Sequence, residues 1–350
     1  MSRRSTAQIL ALVLIALGLL VATLVPMPYM VLSPGPAVNV LGTLGGKQII
    51  TVSGAPTYPT DGRMDLTTVS ESGGPYGRVS VTHVLGGWLD PSVAVVPTAV
   101  LYPSSETAQQ VEQENTADML QSQDDAVVAA LRHLGLPVTL TVTVESVTAG
   151  GPSDGHLKPG DLIVSVDGTA VGTSTEVRAQ VATHKPGETV TFVVQRSGST
   201  VTVPVVAGSA PDDPNRAMVG FLPRDGYTSP VTVKVDVEDV GGPSAGLMLT
   251  LGIIDKLTPV QENGGAHVAG TGTIDVDGKV GPIGGIRQKL AGARSVGATV
   301  FLVPASNCAE ALLQVPDGLR LVKVTDVEDA LSGMAAAVAG KPAPTCSASG

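Results

Sequence analysis

Residues 241–246 read Gly-Gly-Pro-Ser-Ala-Gly and run straight into LMLTLGII (247–254). Pro243 suits the first turn of a helix, where a missing N–H costs nothing. The residues after it are apolar at almost every position, which predicts a helix buried on all sides. Ser244 is thereby placed at the N-terminus of a buried helix. The amides and dipole at such an end favour a developing negative charge, as an oxyanion site requires. Taken alone, the segment reads more simply as an ordinary helix-capping serine.

A second segment bears on that choice. Gly284 and Gly285 precede a stretch whose apolar spacing predicts a helix over 286–297. At 100° per residue, Ile286, Leu290, Ala293 and Val296 share one arc, and Arg287, Gln288, Arg294 and Ser295 lie opposite. Lys289 falls inside the apolar arc. A lysine there either snorkels outward or is functional. Desolvation lowers a lysine's pKa and makes neutral amine available as a base. A serine paired with such a lysine is a known form of activated nucleophile.

The two segments together, GGPSAG and TGTIDVDGKVGPIGGIRQKLAGA (271–293), resemble the proteolytic domain of Lon proteases over about residues 229–335. The resemblance implies that Ser244 is the nucleophile and Lys289 the general base. It also implies that Thr271 orients the lysine and that Gly242, Pro243 and Ala245 support the oxyanion. The sequence departs from the family at two places. Val240-Gly241 stand where Lon has Lys-Asp, so the acid of that segment is either displaced to Asp239 or absent. Thr273 stands where the family has a glutamate.

Upstream, residues 138–207 form a compact block of strands and one helix, with LKPGDLIVSVDGTAV (157–171) at its centre. This stretch resembles the PDZ domains of bacterial envelope proteases. A PDZ domain binds an extended peptide, often a C-terminus, as an added strand beside its helix. The resemblance implies a groove between strand 140–147 and helix 174–183, lined by Val142 and Val144, with a carboxylate-gripping loop near Leu136, Pro137 and Val138. The layout as a whole resembles the membrane-anchored bacterial PDZ/Lon-like proteases.

The expected fold is an α/β (α+β) Lon-type protease domain plus a β-rich PDZ domain, with one N-terminal transmembrane helix. Residues 9–25 (ILALVLIALGLLVATLV) carry no charge, and Arg3 and Arg4 precede them. That predicts a single-pass anchor with a cytoplasmic N-terminus and everything after it translocated. A cleaved leader, giving a secreted protein, is the competing reading. The expected boundaries are 1–28 for the cytoplasmic N-terminus and anchor and 29–59 for a β-rich juxtamembrane segment. Residues 60–135 are read as the first part of the Lon-like domain, 136–208 as the PDZ domain, 209–338 as the Lon-like domain proper and 339–350 as a tail. Under this division the PDZ domain is inserted in the protease domain; a separate β-rich domain at 31–105 is the alternative. Outside the cytoplasm Cys308 and Cys346 are able to form a disulfide.

Composition excludes several classes. The 350 residues include 42 Gly, 26 Pro and 3% aromatics, so the core is built mostly from aliphatic side chains. A net charge of −10 argues against nucleic-acid partners, which require a basic face. No Gly-x4-Gly-Lys-Ser/Thr occurs, so neither nucleotide nor any other cofactor is expected. The five histidines lack metal-ligand spacing, and no metal is expected. The expected partners are protein or peptide substrates and the membrane, with a homo-oligomer also compatible. The functional expectation is an ATP-independent serine endopeptidase. The alternative is an inactive envelope scaffold that binds protein C-termini through its PDZ domain.

Overall fold

The computed structural model describes residues 3–102, 107–237 and 240–347, and in the N-terminal helix it describes side chains only at residues 8–18, 20 and 23. Asp239 lies outside the described residues. In chain order, the first part supplies α1 (Arg3–Leu24), β1 (Tyr29–Asn39), β2 (Arg63–Gly73), α2 (Val81–Leu89), β3 (Ala94–Pro97) and α3 (Ala108–His133). The middle supplies β4 (Thr139–Val147), β5 (Leu162–Val166), α4 (Ser174–Val181), β6 (Thr189–Arg196), β7 (Ser199–Val206) and β8 (Phe221–Thr228). The last part supplies α5 (Gly246–Leu257), β9 (His267–Gly270), α6 (Ile286–Ser295), β10 (Val300–Pro304), β11 (Arg320–Val324) and α7 (Val327–Val338).

The chain divides into two compact units, one of residues 1–133 with 233–350 and one of residues 134–232. The first unit is built on a six-stranded sheet in the order β11-β10-β9-β2-β1-β3. Its strands come from both sides of the second unit. Strands β11, β10, β9 and β2 are parallel, and β2-β1 and β1-β3 are antiparallel. Parallel strands covered on both faces should read as continuous apolar runs. β10 does so, with all five residues of VFLVP buried. α5 packs as the central helix, its residues Gly246 to Asp255 all buried. Residues 29–59 are therefore not a separate juxtamembrane segment, because β1 runs along most of β2, from Met30 opposite Gly73 to Asn39 opposite Asp65.

The second unit is an antiparallel sheet in the order β7-β6-β5-β4-β8, with α4 packed on it. Its core is aliphatic plus Phe192, and includes Val142, Val144, Ile163 and Val177. The unit extends to Thr232 rather than stopping at 208, because β8 pairs with β4 over the latter's full length, from Phe221 opposite Val147 to Thr228 opposite Thr139. Among the described residues, no helix is long and apolar enough to cross a membrane. Helix α1 itself is 22 residues long, with Ile9 to Leu17 exposed wherever they are large and apolar.

Candidate active site

Ser244 sits in a single 3-10 turn, Pro243–Ala245, that leads directly into α5. Two bonds from α3 hold this turn. The Gly242 N–H donates to the Asn115 carbonyl at 2.9 Å, and the Ser122 hydroxyl donates to the Pro243 carbonyl at 2.9 Å. Asn115 and Ser122 are seven residues apart and so share one face of the helix. Neither was singled out from the sequence, where their only signal was the periodicity of a long helix.

Lys289 arrives from the opposite side. Gly285 caps α6 in the left-handed conformation, with φ 67° and ψ 35°, where a Cβ would lie 2.7 Å from Val69 Cγ2. One turn later Lys289 is only 3% exposed. Its Nζ lies 2.8 Å from Ser244 Oγ and 3.0 Å from Thr271 Oγ1. Thr271 is fully buried, and its hydroxyl donates to the Ser244 carbonyl at 3.1 Å. That leaves the Thr271 oxygen as an acceptor for the lysine. Burial pushes the Lys289 pKa down from 10.5 to about 8. The site is thus a serine hydroxyl against an amine that is partly neutral at ordinary pH.

The remaining residues fall into place unevenly. The Gly242 amide is committed to Asn115 and so is not an oxyanion donor, and Pro243 has no N–H to give. Their part is to shape the turn. The amides of Ser244 and Ala245 belong to the first turn of the helix, where amides lack intrahelical acceptors. On α6 the arc drawn from the sequence is off at two positions. Val296 is 42% exposed, whereas Gln288 is buried and donates to the Ser92 carbonyl at 3.2 Å. A cavity of about 660 Å³ opens on the pair, walled by Leu32, Val69, Glu71, Leu101 and Ile283.

The groove read from the sequence in the second unit is misplaced. Both sides of β4 are paired, with β5 and with β8, so it has no edge to offer. Val142 and Val144 are buried in the core, and Leu136 and Val138 lie in the loop before β4. The sheet edges are β7 and β8, and β8 is the one tied to α4, with Asp225 accepting from the Ser174 amide and hydroxyl at the start of that helix. The edge strand with a helix beside it is therefore Phe221–Thr228, preceded by the loop Val219-Gly220. Pro223 was the sequence signal, since proline inside a strand marks an edge.

At the C-terminal end of the first unit, Cys308 and Cys346 are joined as a disulfide, with Cα atoms 5.1 Å apart. It fastens the tail beside Ala311 and Leu319.

Comparison with known proteins agrees with this geometry. Residues 233–336 match the Lon protease (S16) C-terminal proteolytic domain, and residues 110–206 match a PDZ domain. Residues 233–336 thus carry the similarity to a Lon-type serine peptidase domain, within the unit that residues 1–133 complete. Lon protease 2 of Herpetosiphon aurantiacus is 42% identical over 81 residues, which is 23% of this chain and 9% of that protein. Lon protease of Clostridium beijerinckii is 37% identical over 93 residues, 26% of this chain and 11% of that protein. Lon protease 2 of Bacillus subtilis is 33% identical over 92 residues, 26% of this chain and 16% of that protein. The chain spans about a tenth of the length of the relatives it matches. Among solved structures, the PDZ domain of an SdrC-like protein from Listeria monocytogenes is 25% identical, covering 23% of this chain and 83% of that chain, with a TM-score of 0.21. The PDZ match begins inside α3, which packs in the first unit, and it ends before β8.

Proposed function

We propose that this chain is a membrane-tethered, ATP-independent serine endopeptidase that cuts extended segments of proteins outside the cytoplasm. The observation that carries the reading is the 2.8 Å approach of the buried Lys289 amine to Ser244 Oγ. Neutral Lys289 takes the Ser244 proton as Oγ attacks the substrate carbonyl. The first-turn amides of Ser244 and Ala245 receive the charge that develops on the carbonyl oxygen. The C–N bond then breaks, and Lys289 hands the proton to the leaving amine. Water attacks the resulting ester, again losing its proton to Lys289; the ester C–O bond breaks, Lys289 returns that proton to Ser244 Oγ, and the acid product leaves. Thr271 holds the amine in line throughout.

The tether rests on the sequence. An uncharged run follows Arg3 and Arg4, and α1 extends for about 33 Å at 1.5 Å per residue. The extracytoplasmic placement draws on that run and on the disulfide, which persists in oxidising compartments. ATP-independence rests on the lack of a phosphate-binding loop within these 350 residues. With no such loop in these residues to power unfolding, the reading calls for substrates that are already extended or for limited cuts. The free edge of β8 would receive an extended segment as an added strand and bring it to the enzyme. The test is cleavage of a peptide mixture by Ser244→Ala and, separately, Lys289→Ala. Each is expected to abolish turnover, and full activity in either would remove the dyad.

A further inference from the structure

Helix α2 presents two faces of opposite use. Val84 and Gly87 point into the domain, where a Cβ on Gly87 would come within 2.8 Å of Val95 Cγ2. Gly87 thus lets the helix press onto β3. Leu85, Trp88 and Leu89 lie at i, i+3 and i+4 and form one outward stripe. They are 48%, 60% and 86% exposed. Trp88 also packs edge-to-face against Tyr29, with ring centroids 6.2 Å apart. Apart from His83, nothing titratable stands on the nine residues VTHVLGGWL. Three large apolar side chains on one uncharged helical face are costly in water.

The position of this helix names what covers the stripe. The uncharged run 9–25 ends one residue before Pro26. Pro26 and Met27 pair antiparallel with Ser80 and Val79. Ser80 is the N-cap of α2, its hydroxyl accepting from the His83 amide. The point where the tether ends is therefore fastened to the first turn of α2. A helix of nine residues is about 14 Å long, so no part of it lies far from that point. Tryptophan and tyrosine favour the boundary between acyl chains and water, and apolar faces of interfacial helices sink into it.

We propose that α2 is an interfacial foot, with Leu85, Trp88 and Leu89 seated in the outer boundary of the bilayer. The proposal rests on the tether in the reading above. The loop after the foot is tied to the catalytic helix, since Arg287 Nη2 donates to the Pro91 carbonyl at 3.1 Å and Gln288 to that of Ser92. The foot thereby sets the height of the Ser244–Lys289 cavity above the lipid. The substrates it favours are extended segments close to the membrane surface.

Trp88 is the only tryptophan in the chain, so its emission reports this site alone. The full chain is reconstituted in phosphatidylcholine vesicles with and without brominated acyl chains, and co-sedimentation is scored in parallel. The expected result is co-sedimentation, loss of most Trp88 emission to bromines near the headgroup end, and protection from aqueous iodide. The double variant Leu85→Gln/Leu89→Gln alters only exposed positions and keeps the probe. It is expected to lose much of the bromine quenching and gain iodide quenching. A chain that co-sediments yet keeps Trp88 bright and open to iodide overturns the foot and leaves the tether standing. So does shielding that depends on protein-to-lipid ratio without bromine quenching, which would mean that a second copy covers the stripe. A chain that fails to co-sediment overturns both.

Discussion

The depressed pKa of Lys289 makes the rate a function of pH in a way that can be worked out beforehand. With an ordinary value of 10.5, only roughly 0.03% of lysine amines are neutral at pH 7. At about 8, the neutral fraction at that pH is roughly 9%, a gain of about 300-fold. In free energy this is on the order of 3 kcal/mol, supplied by burial. If neutral Lys289 is the base, kcat/KM should rise about tenfold per pH unit below 7 and bend near 8. The sign follows from the base being active when deprotonated. The assay is hydrolysis of a quenched fluorescent peptide between pH 5.5 and 9.5 at constant ionic strength, with folding checked at each pH by circular dichroism. A rate that is flat from pH 6 to 8, or that still climbs tenfold per unit at 9.5, would refute the assignment of a desolvated lysine base.

Other consequences are more local. Thr271→Val keeps the shape but removes the oxygen that the Lys289 amine meets at 3.0 Å, so kcat should fall by about 10- to 100-fold with KM little changed. Steady-state kinetics on the same peptide measure it. The disulfide closes a loop of 38 residues, for which the chain-entropy relation gives about 4 kcal/mol. Cys346→Ser should therefore lower stability to urea by about 2–4 kcal/mol, and the wild-type chain should titrate no free thiol before reduction. Asp255 is buried with Oδ2 lacking any partner, and burial raises its carboxyl to about 6. A raised acid costs stability above that pH, and the cost fades as pH falls towards 4. Asp255→Asn should therefore stabilise the chain at pH 7.5 by about 1–2 kcal/mol and by little at pH 4, as read from urea unfolding at both.

The dyad was legible through the resemblance of two motifs, in order, to Lon proteases, since a capping serine and a snorkelling lysine leave the same local signatures. A proline-led buried helix start and a lysine in an apolar arc both leave marks within ten residues. The central strands were legible more directly, since burial on two faces forces unbroken apolar text, as in VFLVP. What escaped reading depended on pairing at long range. Strand β1 carries Pro34-Gly35-Pro36, which reads as turns, yet the strand survives by a register shift between Pro34 and Ala37. β8 carries Pro223, Asp225 and Gly226, a poor alternation tolerated because the strand has a partner on only one side. That is why the groove was placed on the better-patterned β4. Gln288 looked like a surface residue because its partner, the Ser92 carbonyl, is 196 residues away.

The central claim is that Ser244 becomes acylated and that Lys289 makes it possible. The most direct measurement is the intact mass of the full chain after acid quenching during turnover of an activated peptide ester, followed by peptide mapping. The account predicts one acyl group on Ser244 in the wild type, and in Lys289→Ala an acylation slower by about 100-fold or more with the fold retained. An acyl group on a different residue, or equal acylation rates in the two proteins, would contradict it.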